Sequence, residues 1–272
     1  MKNGNHLSEQ KLENIMFKNY VARQKEKNDI LLMTHIVVGY PSIEDSERIV
    51  DEMVAAGIDL IELQIPFSEP IADGPVILRA NQMALKKGDS VQDCLDFTAR
   101  MKRKHSLPFF YMTYVNIIHK YGVDMFLAQM FDNNISGAIV PDLPPEEGMA
   151  YIEKFKAKDK SLIFIYGPTT SDERMKYIAN HASGFIYCVA RKGVTGANTN
   201  FSKDLDLYLN RCRAATDLPI ALGFGVKDHS DINFLSGKVD IAVVGTQTIK
   251  VMEKDGIDAI GPYLRSLRGS VL

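Results

Sequence analysis

The 272-residue sequence predicts an α/β protein, a (β/α)8 TIM barrel with an extra N-terminal helix, forming a single domain over residues 1–272. Three observations predict it. Short apolar runs rich in β-branched residues alternate with longer stretches at helical spacing, and the beat repeats about eight times. No Pro/Gly/Ser-rich linker divides the chain, and right-handed crossovers between successive parallel strands close naturally into a barrel at that number. The first strand runs into VGYPS at 38–42, where a dinucleotide-binding open sheet would carry GxGxxG. A doubly wound open sheet stays as the second architecture, because strand order is not written in a single sequence.

Taken in order, the opening segment carries Leu7, Leu12, Ile15 and Phe17 among charges and reads as an extra helix closing the barrel bottom. The strand candidates are Ile30 to Val38, Leu60 to Ile65, Pro108 to Tyr114, Gly137 to Val140, Leu162 to Tyr166, Gly184 to Val189, Pro219 to Leu222 and Val239 to Val244. Each is short and bounded by turn-forming residues. Helix signals lie between them. Ser42 reads as an N-cap, with Glu44 and Asp45 in the first turn and Gly57 past the last one. Pro144-Pro145 reads as a helix opening, followed by Glu146 and Glu147.

Composition narrows the function classes. Thirty-two Lys+Arg against 34 Asp+Glu give a formal charge of −2, so nothing in the balance draws the chain to nucleic acid or to an anionic membrane. No apolar run approaches a membrane span and the polar MKNGNHLSEQ opening lacks a signal-peptide core, which points to the cytoplasm. Cys94, Cys188 and Cys212 are odd in number and widely spaced, without CxxC, which argues against a disulfide scaffold and for a reducing compartment. The six histidines show no HExxH or other metal spacing, so no metal is expected. His35 stands apart, near the end of the apolar first strand, as a core or pocket-lining residue.

In a barrel the chemistry sits where strands end and βα loops begin. Glu62 lies inside an otherwise apolar strand, and Asp73 follows in the loop PFSEPIADGP. Glu62 reads either as an ion-paired core carboxylate or as an acid/base group, since burial disfavours the charged form. Asp73 reads either as a turn aspartate before Gly74 or as a second site carboxylate. The polar stretch ARKGVTGANTN at 190–200, with Arg191, Thr195 and Gly196, reads as a lid loop or a solvated one. GFGVKD at 223–228 and VVGTQT at 243–248 put glycines on the two loops that cradle phosphate in many barrels, and glycines at such turns also serve geometry alone. Met112, Ile139, Ile165, Phe224 and Tyr187 read as barrel core or as the walls of a flat, aromatic-sized pocket.

Together these motifs resemble the tryptophan synthase alpha subunit family through nearly the whole chain after the opening segment. The residues that carry the resemblance are VGYPS at 38–42, IEL at 61–63, PFSEPIADGP at 66–75, MTYVN at 112–116, IVPDLPPEE at 139–147, RKGVTG at 191–196, GFG at 223–225 and VVGT at 243–246. The resemblance implies cleavage of indole-3-glycerol phosphate to indole and glyceraldehyde 3-phosphate, a lyase reaction with no cofactor in this chain. It also implies a partner, the pyridoxal-phosphate beta subunit, in an alpha2beta2 heterotetramer. Carried over by position, Glu62 matches the family's acid/base glutamate and Asp73 the aspartate that stabilises charge at the indole nitrogen. Tyr187 and Phe224 match its indole pocket, Thr195 and Gly196 its lid, and Gly196, Gly225, Gly245 and Thr246 its phosphate contacts.

The chain departs from the family pattern at several positions. Gln64 stands where glycine is usual, Glu69 replaces aspartate, and Thr246 replaces serine. Ile117 takes the place of a proline, Phe185 that of a tyrosine, and His35 that of a larger apolar or aromatic residue beside the indole site. Two other functions remain compatible with the residues: a stand-alone barrel enzyme on another phosphorylated substrate, and a non-catalytic activator of the beta subunit.

Overall fold

The computed structural model describes residues 17, 19–190, 198–223 and 225–269. Eight strands, β1 (Leu31–Val37), β2 (Leu60–Gln64), β3 (Phe109–Met112), β4 (Gly137–Ile139), β5 (Ser161–Tyr166), β6 (Ile186–Val189), β7 (Ile220–Gly223) and β8 (Ile241–Val244), form a closed barrel in chain order. Every neighbouring pair is parallel, and β8 returns to β1 through the register Leu31↔Ile241 to Thr34↔Val244. The closure excludes the open sheet. All eight strands coincide with the apolar runs to within a few residues, because a parallel strand covered on both faces needs apolar side chains on both. β1, β2, β3, β4 and β8 are buried along their whole length.

Local chemistry sets the helix ends. Ser42 caps the helix Ile43–Ala55, its side chain accepting from the Asp45 N–H at 3.0 Å, and Gly57 follows at φ +79°. Ser90 and Asp93 form a reciprocal capping box at the start of Val91–Lys104. One helix start is corrected. Pro144 to Glu147 make a turn, closed by the Glu147 and Gly148 N–H groups on Pro144 O, and the helix begins only at Met149. Glu146 is taken instead by Arg174, bidentate at 2.7 and 3.0 Å.

The N-terminal segment closes the bottom of the barrel as expected. Residues 19–25 are helical, and Phe17 packs on Phe110 and Phe185 with ring centroids 5.7 Å away in each case. Phe185 therefore belongs to the bottom of the barrel, away from the loops. Tyr20 donates to Asp59 O at 2.7 Å and Lys25 pairs with Asp240 at 2.8 Å. Leu7, Leu12 and Ile15 lie outside the described residues.

All three cysteines are buried free thiols. Among the described residues, no helix is long and apolar enough to cross a membrane and no His/Cys/Asp/Glu trio is placed to hold a metal ion.

Candidate active site

A cavity of about 500 Å³ opens at the C-terminal end of the barrel. Every strand sends at least one residue toward it: His35, Glu62, Met112, Ile139, Ile165, Tyr187 with Val189, Gly223 and Val243, in chain order. The alternation of strand side chains dictates this choice. Thr34 Oγ1 faces outward to Met53 Sδ at 3.2 Å, so its neighbour His35 faces inward. Met112, Ile139 and Ile165 are thus both barrel core and cavity wall, and the two readings of those residues merge.

Glu62 is 3% exposed and paired with His35, its register partner across β1 and β2. With Glu62 ionised, the His35 Nδ1–H donates to Oε1 at 2.8 Å. The second carboxylate oxygen, Oε2, is buried with no hydrogen-bond partner among the described residues, as is His35 Nε2. Burial pushes the His35 imidazole down, but the charge and hydrogen bond of Glu62, joined by the charge of Asp73, outweigh it and raise the histidine above its ordinary value.

Asp73 is held over the cavity by the loop between β2 and the helix Pro75–Lys87. Several contacts order that loop. Phe67 N–H donates to the buried Asn81 Oδ1 at 2.9 Å, the Phe67 ring stacks on Tyr114 at 4.8 Å, and Ala72 N–H reaches Tyr114 Oη at 3.3 Å. Gln64, at the end of β2, donates from Nε2 to Asp73 Oδ2 at 2.6 Å. Burial raises the Asp73 carboxyl above the usual carboxylate range; His35 and Gln64 partly offset it and the Glu62 charge adds to it. Tyr187 faces both carboxylates, and burial first, then Glu62 and Asp73, push its phenol far up, so it stays protonated. A Cβ on Gly223 would meet the Tyr187 ring at 3.2 Å, so the glycine at the end of β7 makes room for that ring.

The opposite rim consists of main chain. Gly225 adopts φ +80°, the left-handed region that glycine alone enters freely, and a Cβ there would meet nothing within 4 Å. Gly245 caps the helix Thr246–Asp255 without any side-chain cap; the Thr248 N–H bonds to Gly245 O at 3.0 Å, and the positive end of the helix dipole lies at the cavity mouth. A glycine backbone open to close approach and a helix N-terminus are the chemistry that suits an anion. Exposed Lys227 stands on the same rim.

The fold thus brings Glu62, Asp73, Tyr187, Gly225, Gly245 and Thr246 to one cavity. Thr195, Gly196, Arg191 and Phe224 lie outside the described residues. Sequence reasoning missed the connecting side chains. The His35 to Glu62 pairing was foreshadowed by two polar residues facing each other in apolar strands, and Asn81 by an amide on an apolar helix face. For Gln64 the sequence shows only an amide where glycine is usual, with no sign of its partner.

A sequence profile of the tryptophan synthase alpha chain matches residues 21–261. The chain belongs to that family. It is 55% identical to the tryptophan synthase alpha chain of Desulforapulum autotrophicum over 252 residues, covering 93% of this chain and all of that one. Its identity to the alpha chain of Syntrophotalea carbinolica is 53%, with the same coverage. Among solved structures, the alpha subunit of Legionella pneumophila tryptophan synthase superposes with a TM-score of 0.84 at 30% identity, covering 93% of this chain and 97% of that one. Family membership bears out the expectation of a lyase enzyme of tryptophan biosynthesis and places the cavity in the context of an alpha chain.

Proposed function

We propose that this chain cleaves indole-3-glycerol phosphate to indole and glyceraldehyde 3-phosphate in the cavity at the barrel mouth, with Glu62 as acid/base and Asp73 as the electrostatic partner of the indole nitrogen. The observation that carries the reading is the pair of carboxylates over an apolar floor, facing an uncapped helix N-terminus. The bond to be broken joins indole C3 to the glycerol side chain. C3 must gain a proton, and the hydroxyl on the adjoining carbon must lose one as that carbon becomes the aldehyde. One carboxyl that first donates and then accepts serves both steps. Glu62, buried beside the apolar floor with Oε2 unpartnered, has the chemistry for it.

As C3 is protonated, positive charge spreads toward the ring nitrogen. A fixed carboxylate accepting the indole N–H stabilises that charge, and its effect is larger where water is excluded. Asp73, anchored by Gln64, suits this role. Tyr187, Met112, Ile139 and Ile165 supply flat apolar walls for the ring, with Phe224 as the matching family position. The amides around Gly225, Gly245 and Thr246 receive the phosphate, with Thr195 and Gly196 as the matching family positions of the lid.

The whole chain acts as one barrel domain in the cytoplasm. No cofactor takes part in this half-reaction. Indole passes to a pyridoxal-phosphate beta subunit within an alpha2beta2 heterotetramer, and the partner raises alpha-chain turnover by favouring the closed loops.

An indole-release assay on the full chain, with and without a beta subunit, tests the reading. Indole formation that rises with the partner supports it. No indole in either arm overturns it, and points to another phosphorylated substrate if phosphate esters still bind, or to a pure activator if beta-subunit turnover rises.

A further inference from the structure

Both site carboxylates are gripped by buried side chains of the barrel strands, Glu62 by His35 of β1 and Asp73 by Gln64 of β2. His35 is 4% exposed and Gln64 fully buried. Burying an amide and an imidazole beside acids is unfavourable unless each makes compensating hydrogen bonds. Each makes one, and each makes it to a different carboxylate: His35 Nδ1 to Glu62 Oε1 at 2.8 Å, and Gln64 Nε2 to Asp73 Oδ2 at 2.6 Å.

We propose that His35 and Gln64 are positioning residues that together set the two carboxylates for the lyase step: His35 ties down Glu62 Oε1 so that Oε2 alone meets the substrate, and Gln64 anchors Asp73 over the ring site. The inference rests on the proposed roles of Glu62 and Asp73. It accounts for the one buried carboxylate oxygen of the pair left without a hydrogen bond among the described residues. Glu62 Oε2 is buried and unpartnered because it is reserved for the substrate. Beyond these two bonds the Gln64 side chain also acts on His35 and helps to raise its imidazole, so the two positioning side chains are coupled to each other. The two grips sit two residues apart on one strand and its neighbour, since Glu62 and Gln64 share the inward face of β2 and His35 is the register partner of Glu62. A rigid strand end thereby fixes a carboxylate that otherwise rides on a loop. The titratable groups facing His35 are Glu62 beside it, Asp73 from the loop and Tyr187 from β6.

The test uses the full chain with a beta subunit and measures indole release from indole-3-glycerol phosphate. His35→Phe keeps a flat ring without donors, and Gln64→Met keeps length without donors. Each is expected to lower kcat by about 10²-fold, as for misplaced reacting groups, with KM nearly unchanged. The pH profile of kcat should change shape in His35→Phe and keep its shape in Gln64→Met. His35→Gln, which restores a neutral donor, should recover part of the lost kcat. A folded variant of either residue with wild-type kcat and pH profile overturns the inference while leaving the lyase reading intact, as does a loss confined to KM. Wild-type chain that forms no indole overturns both. Should His35→Phe fail to fold, the His35 ring nitrogens followed by NMR in wild type and Glu62→Gln decide its half: titration that ignores Glu62 overturns it.

Discussion

Gly223 at the end of β7 and Tyr187 on β6 form a matched pair: a Cβ on the glycine would stand 3.2 Å from both the ring edge and the phenol oxygen of the tyrosine. The glycine is therefore a statement about the shape of the cavity as much as about the backbone. Gly223→Ala should push the ring into the space proposed for the indole and raise KM for indole-3-glycerol phosphate roughly 10-fold, the usual effect of one added methyl group in a pocket. Steady-state kinetics check this, and an unchanged KM would remove Tyr187 from the pocket wall.

Gly225 holds φ +80° in open space, so replacing it strains the backbone without a clash. Gly225→Ala should lose about 1–2 kcal/mol of stability, the penalty for an L-residue in the left-handed region. Calorimetric titration should show weaker binding of glycerol phosphate and unaltered binding of indole. Equal loss of both ligands would mean that the loop shapes the whole cavity and is no dedicated phosphate cradle.

Asp73 pairs function with instability. Its carboxyl is raised in the folded chain, so folding favours the protonated form; the resulting stabilisation is complete below the ordinary aspartate value and is lost as pH rises through the folded one. At pH 7 the ionised group is a burden on the fold. Asp73→Asn should therefore melt above wild type at neutral pH while indole formation falls about 10²-fold or more. A lower melting temperature, measured by circular dichroism, would make Asp73 a structural turn residue.

His35 titrates in the same direction with a different sign of charge. Its folded value is raised by Glu62 against the opposing effect of burial, so its stabilisation is full below the ordinary histidine value of about 6.5 and drains away as pH climbs through the higher folded value. Urea unfolding across that range should show wild-type stability declining with pH on the alkaline side. The decline should flatten in Glu62→Gln, which removes the charge and keeps an acceptor. The same slope in both proteins would separate the histidine from the glutamate.

The barrel was legible in the sequence because burial on both faces leaves each strand as a bare apolar run, and Ser42 and Gly57 mark helix ends by hydrogen bonding and by φ. The start at Met149 was not legible, since Pro144-Pro145 is equally competent to open a helix or a single turn, and the bonds of Gly148 decide for the turn. Within the site, Glu62 announced itself as a charged residue where the strand period demands an apolar one, and Gly225 and Gly245 as glycines just past the ends of β7 and β8. The role of Gln64 was hidden, because Asp73 lies nine residues further on and only the path of the loop brings its carboxylate to the amide. His35 was readable as a pocket residue, but its bond to Glu62 depends on strand register, which a single strand does not disclose.

The most direct test of the central claim is single-turnover release of indole from saturating indole-3-glycerol phosphate by the full chain with a beta subunit, comparing wild type with Glu62→Gln. If the Glu62 carboxyl moves the protons, the variant binds substrate normally and its rate falls by about 10²–10⁴-fold, the usual contribution of a general acid/base. Indole released by Glu62→Gln at the wild-type rate would contradict the account.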